Sequence, residues 1–100
     1  MSLPVTFRPE ATRDLREARA WYKSRRAGLG MIFAVRAASA LDAIGRFPNL
    51  YGVVRKNVRA APIRRHLYII YYRVLRDRVE VIAVFHGRRD PSALKDRLSP

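Results

Sequence analysis

The sequence contains no cysteine, which excludes disulfides and thiolate metal sites and suits a reducing compartment. Acid is scarce: 8 Asp and Glu stand against 21 Lys and Arg, a net charge of +13. Lysine is scarcer still, with only Lys23, Lys56 and Lys95, so arginine carries almost all of the positive charge. No apolar run approaches the ~18 residues that a membrane span requires. The stretch MSLPVTFRPEA lacks the charged and apolar regions of a signal peptide. A cytoplasmic protein with no membrane contact, no metal and no cofactor is therefore expected. Residues 1–100 are read as a single domain, because either half alone would be too small to fold without disulfides or metals.

The positive charge is unevenly placed. Between Val53 and Arg76 lie Arg55, Lys56, Arg59, Arg64, Arg65, Arg73 and Arg76, with no acid among them. A solvated face usually mixes both signs. An acid-free run this long points to a polyanionic partner, either nucleic acid or an acidic protein segment.

Val5 and Phe7 alternate with Thr6 and Arg8 as a short strand, and Pro9 opens a helix where its missing N–H costs nothing. Ala11, Leu15, Ala18 and Tyr22 form one apolar stripe to about Arg26, opposite Arg13, Asp14, Arg16, Glu17 and Lys23. Ala27 to Gly30 reverse the chain. A second helix to about Arg46 carries Phe33, Ala37, Ala40, Ile44 and Phe47 on one stripe, with Ala34, Ala38 and Leu41 beside it. Val53 to Ala60 reads as an edge strand or loop, interrupted by Asn57 and separated by Pro62 from the apolar run beyond it.

Two apolar strands come next, turning at Leu75 to Arg78. In the first, Leu67, Ile69 and Tyr71 oppose Tyr68, Ile70, Tyr72 and Val74; in the second, Val79, Val81, Ala83 and Phe85 oppose Ile82 and Val84. Asp90 and Pro91 then look like the cap and first residue of a short helix in which Leu94 and Leu98 share a face.

The expected fold is α+β: an N-terminal strand and a two-helix antiparallel hairpin packed on one face of a small, mainly antiparallel sheet (β-α-α-β-β-β), with a short C-terminal helical tail. A sheet apolar on both faces needs two covers. The hairpin supplies one, and two leucines of the tail look too little for the other. An arginine-rimmed apolar sheet surface, open to a partner, is expected.

Four segments carry a resemblance over almost the whole chain: RPEATRDLREARAWY, FPNLYG, RRHLYIIYYRV and VEVIAVFHGRRDP. In order and spacing they resemble the ParE/RelE superfamily of bacterial toxins, and HGRRDP points to its ParE branch. Members often carry Phe-Pro-Tyr where this chain has His66-Leu67-Tyr68. The resemblance implies a toxin that acts on DNA gyrase and is held inactive by an acidic, partly disordered ParD-like antitoxin. Arg55, Lys56, Arg59, Arg64, Arg65, Arg73, His86, Arg88 and Arg89 are the expected antitoxin- or target-binding surface.

The alternative is a RelE-like, ribosome-dependent mRNA endonuclease. Metal-free RNA cleavage needs an acid, a base and cations for the phosphorane. His86 titrates near neutrality and would serve beside Arg65 and Arg88. That branch tends to place a catalytic aromatic near the C-terminus, whereas Phe85 is the last aromatic here. A plain nucleic-acid binder is a third class, without a helix-turn-helix, zinc-finger or RNA-recognition signature. Structural roles compete at each position: His86 as a strand-end histidine bonded to backbone, the tyrosines and Trp21 as packing, Asp90 as a helix cap, and Glu80 as a cross-strand ion-pair partner.

Overall fold

A computed structural model of the chain describes residues 2–99. The elements run β1 (Val5–Phe7), α1 (Pro9–Arg25), α2 (Leu29–Arg46), β2 (Val53–Arg55), β3 (Val58–Pro62), β4 (Tyr68–Val74), β5 (Val79–His86) and α3 (Ser92–Leu98). The five strands form one sheet in the order β1-β5-β4-β3-β2, parallel only where β1 joins β5. The architecture is the expected α+β arrangement with one strand more. The basic segment after Pro48 is not a single edge strand but a hairpin, because Lys56 and Asn57 make a two-residue turn with Lys56 at φ 50°. Pro62 closes β3 opposite Ile69, past the end of β2, where its missing N–H interrupts no ladder.

The two helices pair along the predicted stripes. Ala11, Ala18, Phe33, Ala37 and Ile44 are buried against Ile70, Tyr72, Val79, Val81 and Val84 of the sheet. Gly28, at φ 88°, precedes α2, and Gly30 inside the helix lets α1 approach: a Cβ there would lie 3.1 Å from both the Arg19 carbonyl and Lys23 Cβ. Phe47 does not extend the stripe as expected. The helix stops at Arg46, Phe47 turns to φ −134°, and its ring is 58% exposed.

Alternation along β5 also fails, for a reason that matters to the whole sheet. Tyr71 faces Ala83 but Tyr72 faces Val81, so Ile82 is an extra residue, a β-bulge. Val79 and Val81 face the helices, whereas Ala83 and Phe85 turn to the opposite face, and Val84 returns to the helical side. Beyond the bulge β5 has no strand on its outer edge, since the β1 side ends with the Arg8 amide donating to Val81 O at 3.0 Å. Side chains take over that edge. The Val84 amide donates to Asp14 Oδ2 (3.0 Å), and Arg97 Nη1 donates to Ile82 O (3.0 Å) and to Asp14 Oδ2 (2.9 Å). Asp14 is therefore not on a solvated face: its side chain is 9% exposed and that of Arg97 16%.

The second face is covered by the chain itself, contrary to the expected open surface. Asp90 Oδ1 accepts the Ser92 amide at 2.9 Å, the bond expected of a cap followed by Pro91, and α3 runs from Ser92 with Pro91 already in helical conformation. This helix lays Ala93, Leu94 and Leu98 over Val58, Ile82, Ala83 and Phe85, with Tyr71 alongside. The guanidiniums of Arg89 and Arg97 lie 4.1 and 4.9 Å from the Phe85 ring centroid and widen the cover. Arginine stems and the bulge do what two leucines alone looked unable to do. The large apolar side chains left exposed lie elsewhere: Trp21 on α1, Met31, Ile32 and Val35 on α2, Phe47 and Leu50 after it, Val53 and Val54 on β2, and Leu67 before β4.

Candidate functional site

The predicted basic residues separate into three places. Arg73 pairs with Glu80 directly opposite it, Nε to Oε1 at 2.8 Å, and Arg8 approaches the same carboxylate at 3.4 Å. Glu80 is thus the cross-strand partner read from the sequence, and Arg73 is spent on it.

The second place is the far end of β5. Tyr68 and His86 face each other across the strands with ring centroids 5.4 Å apart. The Arg88 amide donates to His86 Nδ1 at 3.0 Å, so the imidazole is bonded to backbone at one nitrogen. Glu17, Trp21, Tyr68, His86 and Arg89 border a shallow hollow of ≈ 260 Å³. Burial, and then the Glu17 charge, push the Tyr68 phenol above its ordinary range. Arg88 and Arg89 are exposed, apart from the packing of Arg89 on Phe85.

The third place is an open groove of ≈ 510 Å³ between α2 and the β3–β4 turn, with Arg36, Arg64 and Arg65 around it and Ser39 and Tyr51 on its walls. The turn explains why two consecutive arginines reach one groove. The His66 amide closes it onto Ile63 O at 3.0 Å, and the Ile63 amide closes it onto Tyr68 O at 3.0 Å. Arg65 sits third in this turn at φ 65°, where glycine is the usual residue. A non-glycine side chain in the left-handed region costs ~1–2 kcal/mol.

Behind the turn, His66 packs nearly perpendicular to the stacked rings of Tyr22 and Phe33, at centroid distances of 4.8 and 5.2 Å. Burial first, and then the Arg36 charge, hold its pKa below the usual 6.5. Its Nε2 lies 3.4 Å from Arg36 Nη1. A guanidinium can only donate, so the neutral imidazole accepts and steadies Arg36. Arg59 does not line the groove but supports it: Nη1 donates to Tyr51 O (2.6 Å) and Asn49 O (3.3 Å), pinning the segment that carries Tyr51. Tyr72 is buried and donates its hydroxyl to Pro48 O at 2.7 Å, fixing the same segment from below.

Among the described residues no carboxylate lies within ion-pair distance of Arg36, Arg59, Arg64 or Arg65. Arg55 and Lys56 extend the charge from the β2–β3 turn. Arg65 and His86 border different hollows. Arg36 is the groove residue that sequence reasoning missed. Its signal was present: α2 carries only Arg36, Asp42 and Arg46 as charges, and Arg36 falls between Phe33 and Ala40 beside the buried stripe.

Comparison with known proteins places this geometry. No curated protein matches the sequence. Among solved structures, a chain of the toxin–antitoxin complex RelBE2 from Mycobacterium tuberculosis superposes with a TM-score of 0.62 at 23% identity, covering 86% of this chain and 99% of that one. A chain of the chromosomal ParDE system from P. aeruginosa gives 0.60 at 13% identity, covering 85% and 96%. At those identities the likeness concerns the fold. The family model for the ParE toxin of the type II toxin–antitoxin system parDE matches residues 5–91, from the first strand to the turn before α3. The chain belongs to the ParE toxin family of type II toxin–antitoxin systems.

Proposed function

We propose that the chain inhibits DNA gyrase by binding it, without covalent chemistry of its own, and that an acidic ParD-like antitoxin holds it inactive. The observation that carries the reading is the set of uncompensated guanidiniums on a member of the ParE family: Arg36, Arg59, Arg64 and Arg65 have no carboxylate partner among the described residues. Exposed apolar side chains accompany them, notably Met31, Ile32, Val35, Leu50, Val53 and Val54. An acidic amphipathic segment would supply charge and apolar contact together. The proposed contact surface comprises Arg55, Lys56, Arg59, Arg64 and Arg65 on the groove side and His86, Arg88 and Arg89 at the end of β5. Arg73, already neutralised, contributes least.

The structural likeness to the RelBE2 chain favours a second reading, a ribosome-dependent endonuclease using His86, Arg65 and Arg88. Two features weigh against it: His86 Nδ1 is taken by the Arg88 amide, and Arg65 borders a different hollow. A gyrase supercoiling assay run beside a ribosome-dependent mRNA cleavage assay separates the two. The expected result is inhibited supercoiling and intact mRNA, with His86→Ala weakening the inhibition without abolishing it. Transcript cleavage that His86→Ala abolishes, with gyrase untouched, would put the nuclease reading in its place.

A further inference from the structure

The groove between α2 and the β3–β4 turn has a chemistry more selective than positive charge. Its three converging guanidiniums come from two separate elements and meet a hydroxyl at Ser39 and a phenol at Tyr51. Each guanidinium is a planar fork suited to two oxygens of one anion. Arg36 is steadied by the neutral His66 imidazole, and Arg65 occupies a strained backbone conformation that glycine would adopt freely. Strain held at an exposed arginine is the pattern of a residue kept for its side chain.

Positive charge also continues beyond the groove. Seven residues, β3 and one on either side of it, separate Lys56 from Arg64, up to about 26 Å of extended chain, with Arg59 between them. That length fits several successive charges of a regular polyanion. An acidic amphipathic segment finds its apolar anchors outside the groove, whose own apolar wall offers only Val35, Pro62 and alanines. The larger exposed apolar side chains, such as Met31, Leu50 and Val54, lie outside it.

We propose that this groove binds the phosphodiester backbone of a nucleic-acid strand, with Arg36, Arg64 and Arg65 donating to its non-bridging oxygens. The inference goes beyond the gyrase reading and stands without it, because the contact belongs to the isolated toxin. A backbone contact carries no base readout, so duplex DNA, single-stranded DNA and RNA are the three sources of this one chemistry.

The test is fluorescence anisotropy with fluorescein-labelled 20-mers of each kind, between 50 and 200 mM salt. The triple variant R36Q/R64Q/R65Q is compared with R13Q/R16Q/R19Q, which removes the same charge from α1. The groove variant should lose ~10-fold or more in affinity for at least one 20-mer, and its log–log salt slope should shrink by ~2–3 for three lost phosphate contacts. The α1 variant should lose less than ~3-fold. Thermal melts check that both remain folded. R64Q/R65Q, altered only in the exposed turn, serves the same comparison with a slope change of ~1–2 if the triple variant melts early. Equal losses in the two triple variants would overturn the proposal, since only long-range charge would then be at work. So would a Glu-rich 20-residue peptide that binds the groove when no nucleic acid does.

Discussion

Asp14 and Arg97 stand 83 positions apart, and between them they hold α1, α3 and the bare edge of β5 together. Removing Asp14 strands a largely buried guanidinium and the Val84 amide at once. Asp14→Ala should therefore lower stability by about 2–4 kcal/mol. Asp77→Ala breaks only an exposed pair with Arg78 and should stay within about 0.5 kcal/mol; urea unfolding of both variants checks the contrast. Arg65→Gly should act in the opposite direction. Relief of the left-handed strain predicts a gain of about 1 kcal/mol, a rise of ~4–8 °C in Tm, together with weaker binding at the groove. His66 gives a pH signature. Its folded pKa lies below the unfolded value near 6.5, so the unfolded chain takes up the proton more readily. This contribution to stability is complete above pH 6.5 and is lost as pH falls toward the folded pKa. The drop in Tm between pH 7.5 and pH 5.5 should be smaller in His66→Gln than in the parent chain.

At the scale of elements, α3 is too short to hold itself, and its seven residues depend on docking. Leu94, 8% exposed, anchors it, so Leu94→Ala should cost about 2–3 kcal/mol. Amide exchange at residues 92–98 should quicken well before exchange in β4 and β5. The elements themselves were largely legible in the sequence. Apolar spacing placed α1 and α2, Pro9 marked a helix start, and Leu75 to Arg78 marked the hairpin turn. Less legible was what depends on contacts between distant residues. Strict alternation put Ala83 and Phe85 with Val81, and nothing local to Ile82 signals the extra residue that separates them. Asp14 looked solvated because its partners, Arg97 and the Val84 amide, are far away in sequence. The groove was half legible: the acid-free run contained Arg64 and Arg65, but Arg36 comes from another element, and the cancellation of Arg73 needs Glu80 brought opposite.

For the whole molecule, the balance between core and charge is the decisive quantity. Both faces of the central strands β4 and β5 are closed by the chain's own helices and arginine stems, so the fold does not wait for a partner to complete its core. What remains open is the charge, +13 in all, with Arg36, Arg64 and Arg65 around one groove, and the exposed apolar side chains of α2 and β2. On the proposed function a partner acts on that surface without being needed to complete the core. The α1–α2 hairpin and the sheet should accordingly persist in the free toxin, with an acidic antitoxin raising Tm as ligand binding to a folded state does, by ~2.7 kcal/mol at a hundredfold excess over Kd. The most direct measurement of the central claim is plasmid topology in cells induced to express the chain. Inhibition of gyrase predicts that plasmid DNA loses negative supercoils on induction and regains them when an acidic ParD-like antitoxin is co-expressed. Growth arrest with supercoiling unchanged and translated mRNA fragmented would contradict it.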